Sequence, residues 1–233
     1  MSANMTMRLI NIVTDGCSNI GPDPCIVAGN VHKDGIIINA IGVVDDNVCS
    51  NRALKEIKGI ARAGGGVHDL IRISELGKTL TSATMRSVAG TLTEVVDREL
   101  KEVLKKGIDE IHPELRFQVV DFINRLTDET NLKVAVVIDA SGSMADKIDE
   151  AKRGVIELLK SLGARKGETQ IAVICYPSER NGAYLLKGFT SDIDELESIV
   201  MEVVTGGGTP TASAIEFAAE LIKDKPLAYE SLV

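Results

Sequence analysis

The sequence predicts an α/β fold, a Rossmann-like open sheet of about six mostly parallel strands with one antiparallel edge strand and helices on both faces. Short apolar runs alternate with segments of helical length along most of the chain, which implies right-handed crossovers between parallel strands. One run, Val134 to Ile138, has no polar residue and ends in Asp139-Ala140-Ser141-Gly142-Ser143, so a buried strand carries a carboxylate and two hydroxyls at its tip. A Pro-Ser-Glu-Arg-Asn-Gly turn at 177–182 separates two further apolar runs and makes that pair antiparallel.

The elements follow in order. Arg8 to Thr14 is a short apolar strand, followed by Asp15-Gly16 and a loop containing Gly21, Pro22 and Pro24. A helix from Pro24 to Asp34 leads to a strand from Ile36 to Val43. Asn51 to Ala63 is an amphipathic helix stopped by Gly64-Gly65-Gly66, and a weaker strand spans Asp69 to Ile73. From Ser82 to Lys106, Val88, Leu92, Val95, Val96, Leu100, Val103 and Leu104 recur at helical spacing, and Gly107 ends the pattern. Pro113 suits a first helical turn and opens a helix to Thr130 with Phe117, Val120, Ile123 and Leu126 expected on one face. After the Asp-x-Ser-x-Ser strand come a helix from Asp146 to Leu162 and strands Gln170 to Tyr176 and Ala183 to Phe189. Ser191 is placed to cap a helix reaching Val204, and Gly206-Gly207-Gly208-Thr209-Pro210-Thr211 leads into a helix from Ala212 to Lys223.

Bulk properties narrow the function. At 233 residues with 44% hydrophobic and 26% charged content, the chain suits one large α/β domain spanning 1–233. The net charge of -8 argues against nucleic acid or an anionic membrane as partner. No apolar stretch has the length of a membrane span, and the N-terminus lacks signal-peptide organisation, so a cytoplasmic location is expected. Cys17, Cys25, Cys49 and Cys175 form no C-x-x-C pair, and His32, His68 and His112 form no H-E-x-x-H, which disfavours zinc. Reduced thiols are expected, Cys17 being the one nearest Asp15. Gly206 to Gly208 could cradle a phosphate, but no lysine follows as a P-loop requires.

The tip of the 134–139 strand offers hard oxygen donors, the chemistry that seats Mg²⁺. Each candidate also has a structural reading. Asp139, Ser141 and Ser143 could cap the following helix, Thr209-Pro210 is an ordinary helix start, and Asp15-Gly16 is a common turn. Their placement on strand tips and loops that such a fold gathers at one spot favours a shared site, because open α/β sheets bind ligands beyond the carboxyl ends of their strands.

The Asp-x-Ser-x-Ser strand resembles the metal-ion-dependent adhesion site (MIDAS) of von Willebrand factor A (VWA) domains. Lys133 to Lys223 looks like the first half of such a domain: motif strand, helix, hairpin pair, helix, Gly-Gly-Thr-Pro loop, helix. Arg8 to Lys106 looks like the second half, with markers Ile10-Asn11-Ile12-Val13-Thr14-Asp15-Gly16, Ile41-Gly42-Val43, Ile60 to Gly66 and Ser74-Glu75-Leu76. The resemblance implies a circularly permuted VWA-like domain with sheet order 6-5-4-1-2-3. Residues 8–106 would be the family's C-terminal half, 107–132 a helical connector, and 133–225 the N-terminal half with the metal motif. It further implies that Ser141 and Ser143 bind the metal directly, Thr209 directly or through water, and Asp139 and Asp15 mostly through water. The ion would be Mg²⁺, with Mn²⁺ as the alternative, and an Asp or Glu of a protein partner would complete its shell.

Three function classes stand open: a non-enzymatic module binding protein through Mg²⁺, an enzyme using the metal in phosphoryl or acyl transfer, and a scaffold with an incidental metal site. No G-x-S-x-G, motif-placed histidine or nucleotide fingerprint favours the enzyme. The overall pattern is also similar to sporulation-associated proteins of spore-forming Firmicutes. The halves could pair within a monomer or across a swapped homodimer.

Overall fold

The computed structural model describes residues 6–44, 51–178 and 182–223. Six strands form one sheet: β1 (Thr6–Thr14), β2 (Ile36–Val44), β3 (Gly65–Arg72), β4 (Asn131–Asp139), β5 (Thr169–Tyr176) and β6 (Tyr184–Thr190). Seven α-helices connect them among the described residues: α1 (Pro24–His32), α2 (Asn51–Ala63), α3 (Leu76–Leu104), α4 (Pro113–Glu129), α5 (Ile148–Gly163), α6 (Ile193–Val200) and α7 (Thr211–Ile222). The order is β3-β2-β1-β4-β5-β6, with every pairing parallel except the edge pair β5 and β6. This is the expected order and strand sense.

Strand parity builds the two sides of the sheet. Leu9 and Val13 of β1, Ile37 and Ile41 of β2, and Val134, Val136 and Ile138 of β4 join one core with α3, α5 and α6. Ile10 and Ile12, Ile36 and Ile38, and Ala135 and Val137 point the other way, into a core with α1, α2 and α7. A central strand buried on both faces must be apolar on both, which is why β1, β2 and β4 read as continuous hydrophobic runs.

Two asparagines interrupt those runs. Asn11 and Asn39 are fully buried neighbours on β1 and β2. Asn11 Nδ2 donates to Thr84 Oγ1 of α3 (2.8 Å), and Asn39 Nδ2 donates to Asn11 Oδ1 (2.9 Å). Asn39 Oδ1 accepts from Val67 N of β3 (2.9 Å) and from Ser87 Oγ of α3 (2.6 Å). Each amide is buried with partners, as the cost of burying polar groups demands. The ladder joins three strands to α3.

Several boundaries differ from expectation. α3 begins at Leu76, since Leu76 and Leu80 are buried and extend the helical stripe. β3 begins at Gly65 because the glycines lie against β2: a Cβ on Gly66 would stand 2.2 Å from the Ile38 carbonyl oxygen. β4 begins at Asn131, pairing with Thr6. Asp192, not Ser191, caps α6 by accepting from Glu195 N (3.1 Å), and α6 ends at Val200. The turn residues 179–181 and the expected tail to residue 225 lie outside the described residues.

The expected apolar face of α4 divides. Ile123 is buried and Leu126 packs beside the core, whereas Phe117 is 74% exposed and Val120 45%. A series spaced strictly by three falls back about 60° per step on an α-helix, so Phe117 and Leu126 face opposite sides.

Candidate metal-binding site

The site forms where strand order reverses, at the carboxyl ends of β1 and β4. Their register pairs Val13 with Ile138, which sets Thr14 beside Asp139. Thr14 Oγ1 donates to Asp139 Oδ2 (2.6 Å), and Ser141 N donates to Asp139 Oδ1 (2.9 Å). Asp139 is fully buried. Burial pushes its pKa up, opposed by the bonds from Ser141 and Thr14, while the nearby charge of Asp15 pushes it further up.

Ser143 links the two tips. Its hydroxyl donates to Asp15 Oδ1 (2.7 Å) and lies 3.2 Å from Ser141 Oγ. The other Asp15 oxygen accepts from Lys147 Nζ (2.6 Å). Residues 128 positions apart in the chain are therefore in direct contact.

Thr209 arrives on a loop bonded to the motif loop by two backbone bonds, Gly206 N to Ala140 O (2.8 Å) and Gly142 N to Gly207 O (3.2 Å). Gly207 makes the turn with φ of 77°, a left-handed conformation that favours glycine, and a Cβ there would meet Pro177 Cγ at 2.8 Å. Asn19 grips Thr209 from the β1 side: Asn19 Oδ1 accepts from Thr209 N (2.8 Å) and Asn19 N donates to Thr209 O (3.2 Å). Ser18 Oγ also donates to Thr209 O (3.1 Å). Thr209 is buried at the meeting of the loops.

The helix-capping alternatives do not hold. Ser141 opens a 3₁₀ turn over Gly142–Met144 without a side-chain cap bond, α5 starts after Lys147, and α7 starts after Pro210, again without side-chain caps. The hydroxyls of Ser141 and Ser143 are turned toward each other instead, and that of Ser143 donates to Asp15.

Beside Asp139 lies its β5 neighbour Tyr176. The Tyr176 hydroxyl sits among Asp139, Thr14 and Thr211 with no hydrogen bond of good geometry, and Thr211 Oγ1 is in the same condition. Burial, then the charge of Asp139, raises the Tyr176 pKa.

Thr14, Asn19, Lys147 and Tyr176 escaped the sequence reading. Strand parity was the available signal for Thr14, and the four-residue spacing of Lys147 from Ser143 was the signal for the lysine. Among the described residues, no group of three or more His, Cys, Asp or Glu converges on one point. The candidate set is two carboxylates and three hydroxyls, all hard oxygen donors. Cys17 is half-buried after Asp15, Cys175 is buried, and Cys49 lies outside the described residues. No helix among the described residues is long and apolar enough to cross a membrane.

Residues 134–232 match the model of the von Willebrand factor type A domain. The uncharacterized protein YabS of Bacillus subtilis (strain 168) is 36% identical over 217 residues, 92% of this chain and 89% of that protein. The crystal structure of an uncharacterized protein from Alicyclobacillus acidocaldarius subsp. acidocaldarius DSM 446 superposes with a TM-score of 0.85 at 36% identity, covering 94% of each chain.

Proposed function

As this chain belongs to the von Willebrand factor type A domain family, a family of protein-interaction modules, we propose that it is a non-enzymatic module that recognises a protein partner through a divalent cation. Asp139, Ser141, Ser143, Thr209 and Asp15 hold Mg²⁺, with Mn²⁺ as the alternative. The observation that carries this reading is the Ser143 to Asp15 contact (2.7 Å), with Ser141 and the bonded Thr209 loop around it.

The donor chemistry fits the ion. Mg²⁺ requires near-octahedral oxygen and releases water reluctantly, so a site of hydroxyls with carboxylates at its margin suits it. The Lys147 ammonium on Asp15 is a stand-in cation that marks the place as one where positive charge is favoured. The bound ion supplies a Lewis-acidic centre with an open position, and an Asp or Glu of the partner completes the shell. Thr14 and Ser141 N orient the Asp139 carboxylate, and Asn19 holds Thr209 in place.

The family segment beginning at residue 134 is preceded here by β1 to β3, and this supports a circular permutation. In it, 8–106 supplies the family's C-terminal half, 107–132 is the helical connector and 133–225 holds the metal motif. We read the protein as cytoplasmic, and as a monomer or a swapped homodimer, which sedimentation would distinguish. The relatives' occurrence in Firmicutes supports a sporulation context, which a deletion strain would test through its spore yield.

The test is calorimetric titration with Mn²⁺ and Mg²⁺, followed by capture of partner protein with and without EDTA. Binding by the wild type and its loss in Asp139→Ala is the expected result. Metal binding that survives Asp139→Ala, or capture indifferent to EDTA, contradicts the reading.

A further inference from the structure

We propose that Lys147 is an internal cation that competes with the divalent ion for Asp15, so that the site fills and empties with the surrounding ion instead of holding it permanently. The inference rests on the metal-site reading above. Both oxygens of Asp15 already accept hydrogen bonds, one from Ser143 Oγ (2.7 Å) and one from Lys147 Nζ (2.6 Å). The pair is sheltered, with side-chain exposures of 12% for Lys147 and 4% for Asp15. An ion, or a water from its shell, that takes an Asp15 oxygen must displace one of these donors.

Lys147 is held beside the site by its backbone. Its N–H donates to Met144 O (2.9 Å), and its carbonyl accepts from Ala151 N (2.9 Å) in the first turn of α5. Nζ also lies 3.4 Å from Ser143 O. The lysine therefore closes the turn that directly follows the one carrying the two serines, and only its side chain can retreat from an arriving ion. Ser143, Ala145 and Asp146 beside it are exposed, which gives the ammonium a path to water.

Charge counting gives the direction of the effect. Asp139 and Asp15 with Lys147 carry one net negative charge, and a divalent ion turns this into one net positive charge. Without the lysine the loaded site would be neutral. Two cations close together in a half-sheltered place repel each other strongly, so the lysine weakens binding of the bare ion. The same surplus positive charge is cancelled by one carboxylate, so the loaded site favours an acidic ligand.

The experiment titrates Mn²⁺ and Mg²⁺ into the full chain by calorimetry, with melting temperature as a second readout. It compares the wild type with Lys147→Met, Lys147→Gln and Lys147→Arg. Met and Gln should bind Mn²⁺ at least about tenfold more tightly, and Arg should stay within about threefold of the wild type. In EDTA, Lys147→Met should melt below the wild type, because Asp15 loses its counter-charge, and added Mn²⁺ should close the gap. Unchanged or weaker binding in both Met and Gln variants overturns the role of Lys147 while leaving the metal site standing. No binding in any of the four proteins overturns the metal site and this inference together.

Discussion

Replacing Asn39 with leucine, nearly the same size and shape, isolates what the buried amide ladder contributes. The substitution removes three hydrogen bonds at once: Asn39 Nδ2 to Asn11 Oδ1, Val67 N to Asn39 Oδ1 and Ser87 Oγ to Asn39 Oδ1. The groups left behind differ in their access to water. Asn11 is fully buried, so its oxygen bears the whole penalty of about 1–3 kcal/mol. Ser87 can rotate its hydroxyl, and Val67 is only partly buried, so each costs about 1 kcal/mol. The sum is about 3–5 kcal/mol, from which added apolar burial subtracts about 1 kcal/mol. For a chain of this length that is a fall in Tm of roughly 5–15 °C. Urea unfolding at constant m, paired with amide exchange, is the assay. The β3 amides should lose protection before those of β4 and β5, because Asn39 ties Val67 of β3 to Ser87 of α3. A loss below about 1 kcal/mol, or uniform loss of protection across the sheet, would refute the reasoning.

Other predictions concern the site and the surfaces. Asp139 is an acid whose pKa burial raises in the folded state, so its ionisation opposes folding. The resulting penalty is absent below the unfolded pKa and accumulates as pH rises toward the folded one. Asp139→Asn should therefore raise Tm by a few degrees in EDTA at neutral pH and abolish the Mg²⁺-dependent rise. In the wild type that rise is about 5–10 °C at an ion concentration 100 times the Kd, read by scanning calorimetry. An Asn variant that melts lower in EDTA would contradict this. Burial, then Asp23 and Glu56, pushes the Cys25 thiol up to about 11. Its alkylation by iodoacetamide at pH 8 should be about a hundredfold slower than that of an ordinary thiol and rise about tenfold per pH unit, followed by mass spectrometry. On α4, Ile123→Ala should cost about 2–4 kcal/mol in urea unfolding, whereas Phe117→Ser should change stability by no more than about 0.5 kcal/mol.

Much of the architecture was readable from pattern because hydrophobic periodicity records burial directly. Runs such as Val134 to Ile138 had to be strands buried on both faces, and their alternation with helices dictated a parallel sheet. Asp139, Ser141, Ser143, Thr209 and Asp15 stood out because each lies at a strand tip or loop where such a sheet gathers polar groups. Helix faces were less readable. Spacing by three placed Phe117 with Ile123 on paper, while the 100° step of a helix carried them apart.

What composition and pattern determined by themselves was the fold class and the donors offered to a cation, since these follow from local periodicity and the chemistry of side chains, whereas the strand order was implied by the resemblance to VWA domains. Only the tertiary structure decided which groups serve those donors: Thr14 on Asp139 through the β1–β4 register, Asn19 on Thr209, and Lys147 on Asp15. It also decided that Asn11 and Asn39, two polar residues inside apolar strands, are satisfied by α3 and β3. The physical reason is shared by all of them. A hydrogen bond between residues distant in the chain depends on register and crossing geometry, and neither is written in the local sequence of either partner.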